Sequence, residues 1–363
     1  MVILGSTGSI GRNALEIAKK HSIKIEALSA GSNVTLLSEQ IKIFSPKYAY
    51  IQEKRDSKEL SKIYPKTKFF YGDGGLEEMI ERSKSKKILN AIVGFAGLSS
   101  TLTAQKCGKK VALANKESLV AGGKFINTKK ITPVDSEHFA LWYLLGKKRP
   151  KKMIITASGG ALRDMPLELL SNANVEEVLK HPNWAMGRKI TVDSATMANK
   201  MLEMLEARWL FGEDIEYDAI MEPSSTVHAF LEFDDGVTTA KLSRPDMKLP
   251  ISYAMIGRYD DENQPLDLES ISKLEFRKLD IIRYPLWSLK RKLLEEPDMG
   301  VIFNASNEIA VERFLDGEIS YQEIAQIVFK SIEEFNGFSA SRVFDIYKID
   351  AEVREYARKI PKA

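Results

Sequence analysis

Read from its first residue, the chain alternates short apolar runs with amphipathic stretches. Met1-Val2-Ile3-Leu4 has the character of a strand, "GSTGSIG" (5–11) of a glycine-rich turn, and the residues to His21 of a helix with one apolar face. Further apolar runs suited to strands follow at 23–31, 47–52, 87–95, 110–115 and 131–136, with helical periodicity between most of them. Strands alternating with helices predict a parallel, doubly wound, Rossmann-like sheet. The run "GKKRPKK" (146–152) reads as a solvated linker. Beyond it come a strand "MIITA" (153–157), then "SGG", then a stretch rich in Pro, Asn and His. A mostly apolar helix follows at 195–211, and "HAFLEF" and "TTAKLS" give the second part its own sheet. From about Tyr284 the pattern is helical to the end, with a capping box at Ser320 and Glu323 and a further N-cap expected at Asp350. The expected organisation is α/β: a Rossmann-like domain over 1–130, a central α/β domain over 131–283 and a C-terminal α-helical domain over 284–363. No internal repeat or low-complexity tract interrupts it.

Composition narrows the function. At 363 residues the chain exceeds what one core organises, while 44% hydrophobic and 28% charged residues suit a soluble globular protein. Lys+Arg 53 against Asp+Glu 50 leaves a net charge of +3 without a basic stripe, which argues against nucleic acid as a partner. The single cysteine, Cys107, excludes an internal disulfide and a cysteine-based zinc site and suits a reducing cytosol. No apolar run is long enough to span a bilayer. With a strand already at residues 1–4, no signal or transit peptide is expected, so the expected location is the cytoplasm.

Two regions carry candidate chemistry. Gly5, Gly8 and Gly11 lie between a strand and a helix. Glycines there let the backbone approach a pyrophosphate, whose charge sits well at a helix N-terminus, so dinucleotide binding is favoured over an empty tight turn. At the end of the second strand the chain reads Ala30-Gly31-Ser32-Asn33, with no carboxylate for a ribose 2′-hydroxyl, which favours NADP over NAD.

The second region is acidic. In "ITPVDSE" (131–137), Asp135 and Glu137 flank Ser136 at a predicted strand end, where residues two apart in an extended chain share a face. "ALANKESL" ends another strand and brings Asn115, Lys116 and Glu117 to the same carboxyl edge. Downstream, Asp193 or Ser194 is expected to cap a buried helix on which Asn199, Lys200 and Glu203 share one flank. Buried charges need partners, so Glu203 is a candidate third carboxylate beside Asp135 and Glu137. Three carboxylates suit Mg²⁺ or Mn²⁺, and the four scattered histidines do not suggest zinc. Ser158, Ser194, Asn199 and Lys200 could together hold a phosphate. "KHPNWAMGR" (180–188) is either a surface loop or a lid in which Trp184 shields the substrate.

Taken together these stretches resemble the 1-deoxy-D-xylulose 5-phosphate reductoisomerase family. "GSTGSIG", "NAIVGFAGL", "ALANKESL", "PVDSEH", "SGG", "HPNW", "VDSATM", "NK" followed by "LE", and "NASNE" occur in the family's order over nearly the whole chain. The resemblance implies an NADPH- and divalent-metal-dependent oxidoreductase of non-mevalonate isoprenoid biosynthesis. Its substrate would first rearrange to an enzyme-held aldehyde, then take hydride to give 2-C-methyl-D-erythritol 4-phosphate. It implies a metal on Asp135, Glu137 and Glu203, with Lys116 also catalytic. The sugar phosphate would touch Lys116, Ser136, Glu137, Ser158, His181, Ser194, Asn199, Lys200 and Glu203. NADPH would lie on Thr7, Gly8, Ser9, Ile10, Gly31, Ser32, Asn33, Asn115, Glu117 and Gly187. A homodimer is implied, with the dimerisation surface and the lid in the central domain.

The chain departs from the family pattern at four places. Met201 stands where many members have Gly, Ala161-Leu162 where they have Pro-Phe, Ser32 where Lys is frequent and Glu222 where His is common. No role is carried over for Glu222. Two other readings compete. A semialdehyde dehydrogenase needs an activated cysteine, and Cys107, at a predicted helix end, reads as packing. An NADP-sensing regulator has no use for three acidic metal ligands.

Overall fold

The computed structural model describes residues 1–183, 186–260 and 264–362. They form two compact units. The first comprises Met1–Ser118, Ile126–Phe139 and Asp246–Gln264; the second comprises Leu119–Phe125, Ala140–Pro245 and Pro265–Ala363.

The first unit is built on seven short strands: β1 (Val2–Leu4), β2 (Ala27–Ala30), β3 (Tyr48–Ile51), β4 (Lys68–Phe70), β5 (Lys87–Asn90), β6 (Lys110–Leu113) and β7 (Ile131–Pro133). Between them run α1 (Ser9–Lys20), α2 (Val34–Phe44), α3 (Lys54–Ile63), α4 (Gly75–Arg82) and α5 (Gly97–Lys106), while α6 (Lys116–Gly122) and α7 (Ser136–Leu144) start in this unit and end in the second. The strand order is β4-β3-β2-β1-β5-β6-β7, with parallel pairing throughout. Strands such as "VIL" and "YAYI" are apolar at every position because both faces of a parallel sheet are covered. The order reverses between β1 and β5, and the carboxyl ends at such a switch form the crevice where doubly wound sheets bind ligands.

The strands are shorter than their apolar runs: the run at 87–95 gives only Lys87–Asn90 and that at 131–136 only Ile131–Pro133. The strand expected at 23–31 occupies only Ala27–Ala30, because the Ile23 amide closes α1 on the Ala18 carbonyl at 2.8 Å. The Glu26 carboxylate is taken up by Ser83, Lys84 and Ser85. The edge strand β4 has too little apolar sequence to announce itself: Lys68 is exposed and only Phe70 is buried.

The second unit holds β8 (Lys152–Ala157), α8 (Val175–Val178), α9 (Arg188–Thr196), α10 (Ala198–Phe211), β9 (Glu216–Met221), β10 (Val227–Glu232) and β11 (Thr238–Leu242), with sheet order β11-β10-β8-β9. β8 and β9 are parallel, so Ala157 and Met221 end side by side. The next helix, α11 (Lys248–Ile256), belongs to the first unit. There the Lys87 ammonium donates to the Ala254 and Met255 carbonyls. The second unit closes with α12 (Lys290–Glu295), α13 (Gly300–Leu315), α14 (Tyr321–Glu334) and α15 (Val343–Lys359). A core of Leu162, Val178, Val192, Ile309, Phe314 and Ile324 joins α8, α9, α13 and α14.

The Ser320–Glu323 capping box is present at α14. Asp350 is not an N-cap. It lies inside α15, because the helix starts earlier at Val343, where the Asp345 carboxylate accepts the Ser341 and Arg342 amides at 3.0 and 2.9 Å, and the Asp350 carboxylate takes the Arg354 guanidinium at 2.7 Å. Burial raises the Asp350 carboxyl above its ordinary range despite that pairing. Asp193 and Ser194 do not cap α10 either. They form the last turn of α9, and the chain breaks at Met197 in the left-handed region (φ +66°) before α10 begins. Among the described residues no helix is long and apolar enough to cross a membrane.

Candidate active site

In the first unit the turn after β1 is shaped by contacts that only glycine tolerates. Gly5 has φ +72°, and a Cβ there would lie 2.5 Å from the Ala91 carbonyl oxygen beyond β5. A Cβ at Gly11 would lie 2.4 Å from the Gly5 oxygen and 2.6 Å from the Ser6 Cα, so α1 is pressed directly on the turn. The turn is locked to its neighbour strand: the Gly5 amide donates to Ser29 Oγ at 3.0 Å, and Ser6 Oγ donates to Gln40 Oε1 at 2.7 Å. Gly8, at the N-cap of α1, has no side-chain cap, and Gly8 and Ser9 face solvent with Thr7 and Ile10 half-buried beside them. An uncapped helix start at the topological switch is a favourable place for a pyrophosphate. At the end of β2, Gly31, Ser32 and Asn33 are exposed, and Asn33 Oδ1 caps α2 by accepting the Leu36 amide at 3.0 Å.

The neighbouring parallel strands β6 and β7 deliver the starts of α6 and α7. Asn115 donates to the Gly94 carbonyl at 2.8 Å and to Glu117 Oε2 at 2.9 Å, which holds the 94–97 turn. Lys116 and Asp135 form an ion pair at 2.7 Å with both side chains largely buried. The extended geometry expected for Asp135 and Glu137 is not what forms. β7 ends at Pro133 and α7 opens at Ser136, so Glu137 lies in the first helical turn. Asp135 serves that helix start by accepting the Glu137 amide at 3.3 Å and, through its carbonyl, the Phe139 amide at 2.8 Å. Ser136 hydrogen-bonds the Glu137 carboxylate. The sequence reading missed His138, which is fully buried with Nδ1 3.1 Å from Asp135 Oδ1. Its signal was the i, i+3 spacing from Asp135. Cys107 terminates α5 and is exposed, not packed, because the chain turns there through Gly108 (φ +72°) at the surface.

In the second unit Ser158 follows β8, and two glycines with positive φ turn the chain. A Cβ at Gly160 would sit 2.6 Å from the Ala195 Cα and 2.8 Å from the Ser194 carbonyl carbon. The "SGG" turn therefore lies directly on the last turn of α9, which brings Ser158 and Ser194 to one place. Ser158 Oγ is 3.0 Å from His181 Nε2, and His181 Nδ1 accepts the Asn183 amide at 3.2 Å. With Nδ1 accepting, the neutral ring carries its proton on Nε2 and donates it to Ser158. Burial, helped by the Arg163 and Lys200 cations, pushes His181 down to about 4, so this neutral form holds at physiological pH.

On α10, Lys200 and Glu203 are buried, at 6% and 1% exposure. Glu203 accepts from Lys200 at 2.5 Å and from Asn199 at 2.5 Å. Met201 is fully buried on the same helix. Asp193 is held between Lys189 and Asn307, each at 2.8 Å. Gly187 is exposed ahead of α9. Trp184, the residue expected in a lid, lies outside the described residues.

Three family models match in chain order: "1-deoxy-D-xylulose 5-phosphate reductoisomerase" over 1–123, that family's C-terminal domain over 131–211, and "DXP reductoisomerase C-terminal domain" over 242–356. A protein from Nautilia profundicola named 1-deoxy-D-xylulose 5-phosphate reductoisomerase is 50% identical over 365 residues, covering 98% of each chain. One of the same name from Campylobacter hominis is 52% identical over 360 residues, covering 99% of each. A crystal structure of DOX-P reductoisomerase in complex with NADPH, fosmidomycin and magnesium is similar at TM-score 0.91 and 35% identity, covering 98% of this chain and 97% of that one. The reductoisomerase from Zymomonas mobilis in complex with NADPH is similar at TM-score 0.88 and 32% identity, covering 98% and 97%.

Proposed function

The chain belongs to the 1-deoxy-D-xylulose 5-phosphate reductoisomerase family, and we propose how its residues divide the work of that reaction. It is an NADPH-dependent oxidoreductase that, with a divalent metal, converts 1-deoxy-D-xylulose 5-phosphate to 2-C-methyl-D-erythritol 4-phosphate. By role, residues 1–130 bind the cofactor, 131–283 carry the metal and substrate contacts, and 284–363 form a helical support. The protein works as a cytoplasmic homodimer.

The cofactor lies on Thr7, Gly8, Ser9 and Ile10 with its pyrophosphate at the start of α1, and its 2′-phosphate faces Gly31, Ser32 and Asn33. Asn115, Glu117 and Gly187 complete its contacts. The uncapped helix start and the glycine contacts that crowd out any Cβ support this placement.

The cation is held by Asp135, Glu137 and Glu203. The donor chemistry fits a hard divalent ion, all oxygen and all carboxylate. The observation that carries the assignment is Glu203, a carboxylate at 1% exposure that accepts from Lys200 and Asn199 on one flank of α10. When bound, the cation would hold two neighbouring substrate oxygens and polarise the carbonyl, and the nicotinamide would supply hydride. Lys116 and His138 fix the Asp135 carboxylate from two sides. Lys116 and Ser136 face the sugar's oxygens, and Ser158, Ser194, Asn199 and Lys200 take the phosphate with His181 alongside. Remote phosphate contacts of this kind supply binding energy that orients the reacting carbons. The test is loss of NADPH absorbance on adding the sugar phosphate, with Mn²⁺ and then with chelator. Turnover that survives complete metal removal would sink the acidic-site assignment.

A further inference from the structure

The turn between β9 and β10 contains a buried acid whose position has no direct contact with substrate in the reading above. Glu222 is 1% exposed, and both its oxygens are spent on its own turn. Oε1 accepts from the Ser224 amide at 2.9 Å and hydroxyl at 2.5 Å; Oε2 accepts from the amides of Thr226 at 2.7 Å and Val227 at 3.0 Å. Ser225 is held at φ +56°, a conformation that such a set of bonds can impose on a non-glycine residue. The loop 222–227 is thus fixed as one piece.

What that piece presents outward is the Pro223 carbonyl. It accepts from Arg163 Nη1 at 2.8 Å and from Asn183 Nδ2 at 2.7 Å. The same Arg163 nitrogen donates to the Ser158 carbonyl at 2.9 Å, and the Asn183 amide donates to His181 Nδ1 at 3.2 Å. Asn183 also reaches Ser225 Oγ at 2.8 Å. The circuit closes through Ser158 Oγ and His181 Nε2. Its geometry follows from topology: β8 and β9 are parallel neighbours, so Ser158 and Glu222 leave the sheet side by side, and the Glu222 amide still pairs with the Ala157 carbonyl at 2.8 Å.

We propose that Glu222 is a positioning residue for substrate phosphate: by fixing the Pro223 carbonyl it sets Arg163 and Asn183, and through them the orientation of Ser158 and His181. The inference rests on the reading that Ser158 and His181 contact the sugar phosphate. In E222Q the side chain keeps its size but turns an amide NH₂ toward backbone N–H donors, leaving buried donors unmatched. The expected result is a roughly tenfold rise in KM for the sugar phosphate, the scale of one lost buried hydrogen bond, with kcat and the KM for NADPH near wild type. E222D restores a carboxylate and should recover part of the loss. A purely structural role would instead lower kcat with the amount of active enzyme and leave both KM values in place. If E222Q does not fold, N183A carries the test, since it removes the other donor to Pro223 and should give the same KM split. S158A separates the two layers. Unchanged substrate KM in S158A removes the phosphate reading and this inference with it. A raised KM in S158A with unchanged KM in E222Q and N183A overturns the inference alone.

Discussion

Gly8 and Gly11 belong to one motif but should fail in different ways when a methyl group is added, and the difference tests what the turn is for. At Gly8 the backbone has φ −74°, open to any residue, and a Cβ would meet only the Gly5 oxygen at an ordinary 3.4 Å. The folding cost of G8A is that of alanine replacing glycine at an N-cap, about 0.5–1 kcal/mol. For a unit of this size that is a melting shift of about 4 °C or less. At Gly11 the methyl would lie 2.4, 2.6 and 2.7 Å from three backbone atoms of Gly5 and Ser6. Helix propensity favours alanine by about 1 kcal/mol, but overpacking against backbone costs about 1–3 kcal/mol or more. The contacts lie so far inside normal separation that the upper end applies, and G11A should melt about 4–8 °C lower. Binding should rank the other way. On the proposed placement the exposed methyl at residue 8 would meet the pyrophosphate, so G8A should weaken NADPH binding about 10–100-fold, or about 1.4–2.8 kcal/mol. Fluorescence titration of NADPH and a thermal melt on both variants decide it. G8A that binds NADPH as tightly as wild type would refute the placement of the pyrophosphate at this helix start.

Three further outcomes follow from the site and the core. Glu203→Gln should abolish turnover while NADPH binding, followed by the same titration, stays nearly intact; lost cofactor binding in folded protein would contradict its metal role. Tyr284, fully buried, donates to the Gly159 carbonyl at 2.9 Å, so Tyr284→Phe should cost about 1–2 kcal/mol in denaturant unfolding; no change would mean water replaces the hydroxyl. His228 is pushed down to about 4 by burial, with Lys241 adding to the effect and the Ser243 carbonyl opposing it. Between about pH 6.5 and 4 the unfolded chain therefore binds a proton that the folded chain refuses, and stability falls as pH drops through that window and is fully present above it. The loss by pH 4.5 should be about 2–3 kcal/mol from this residue, and urea unfolding of His228→Gln should show a correspondingly flatter pH dependence; an unchanged slope would remove His228 as its source.

The parallel sheet was legible because strands buried on both faces carry continuous apolar runs, as "VIL" and "YAYI" do, and because the glycine turn sits between a strand and a helix. What periodicity could not supply was the starts and stops. Asp350 has the residue type of an N-cap, yet α15 begins seven residues earlier because the Asp345 carboxylate already caps it through the Ser341 and Arg342 amides and because Asp350 has Arg354 one turn on. Likewise the break between α9 and α10 falls at Met197, a residue whose identity gives no warning of a positive φ. The contacts that force it are tertiary: Tyr321 donates to the Ala195 carbonyl at 2.7 Å, and Gly160 presses on the same turn.

The candidate residues could be named from type, spacing and the family resemblance, but the way they are held could not. Asp135 and Glu137 were read as two side chains of an extended segment, and the structure puts them across a strand end and a helix start. That difference matters chemically. In an extended chain two carboxylates on one face would simply repel, whereas here Asp135 is tied by Lys116, His138 and the Glu137 amide before any cation arrives. On the proposed assignment, a carboxylate already held by three partners would lose little further freedom on binding metal. The same logic separates the two kinds of functional residue in this chain. Those proposed to touch ligands are few and have recognisable chemistry, such as the buried carboxylate of Glu203. Those that hold them, His138, Arg163, Asn183 and Glu222, are ordinary residues far apart in sequence, given meaning only where β6 meets β7 and β8 meets β9. Substitutions at the second group should therefore shift KM and pH behaviour more than they abolish turnover, and a variant such as Arg163→Met that destroyed kcat while leaving the substrate KM unchanged would show that the distinction does not hold.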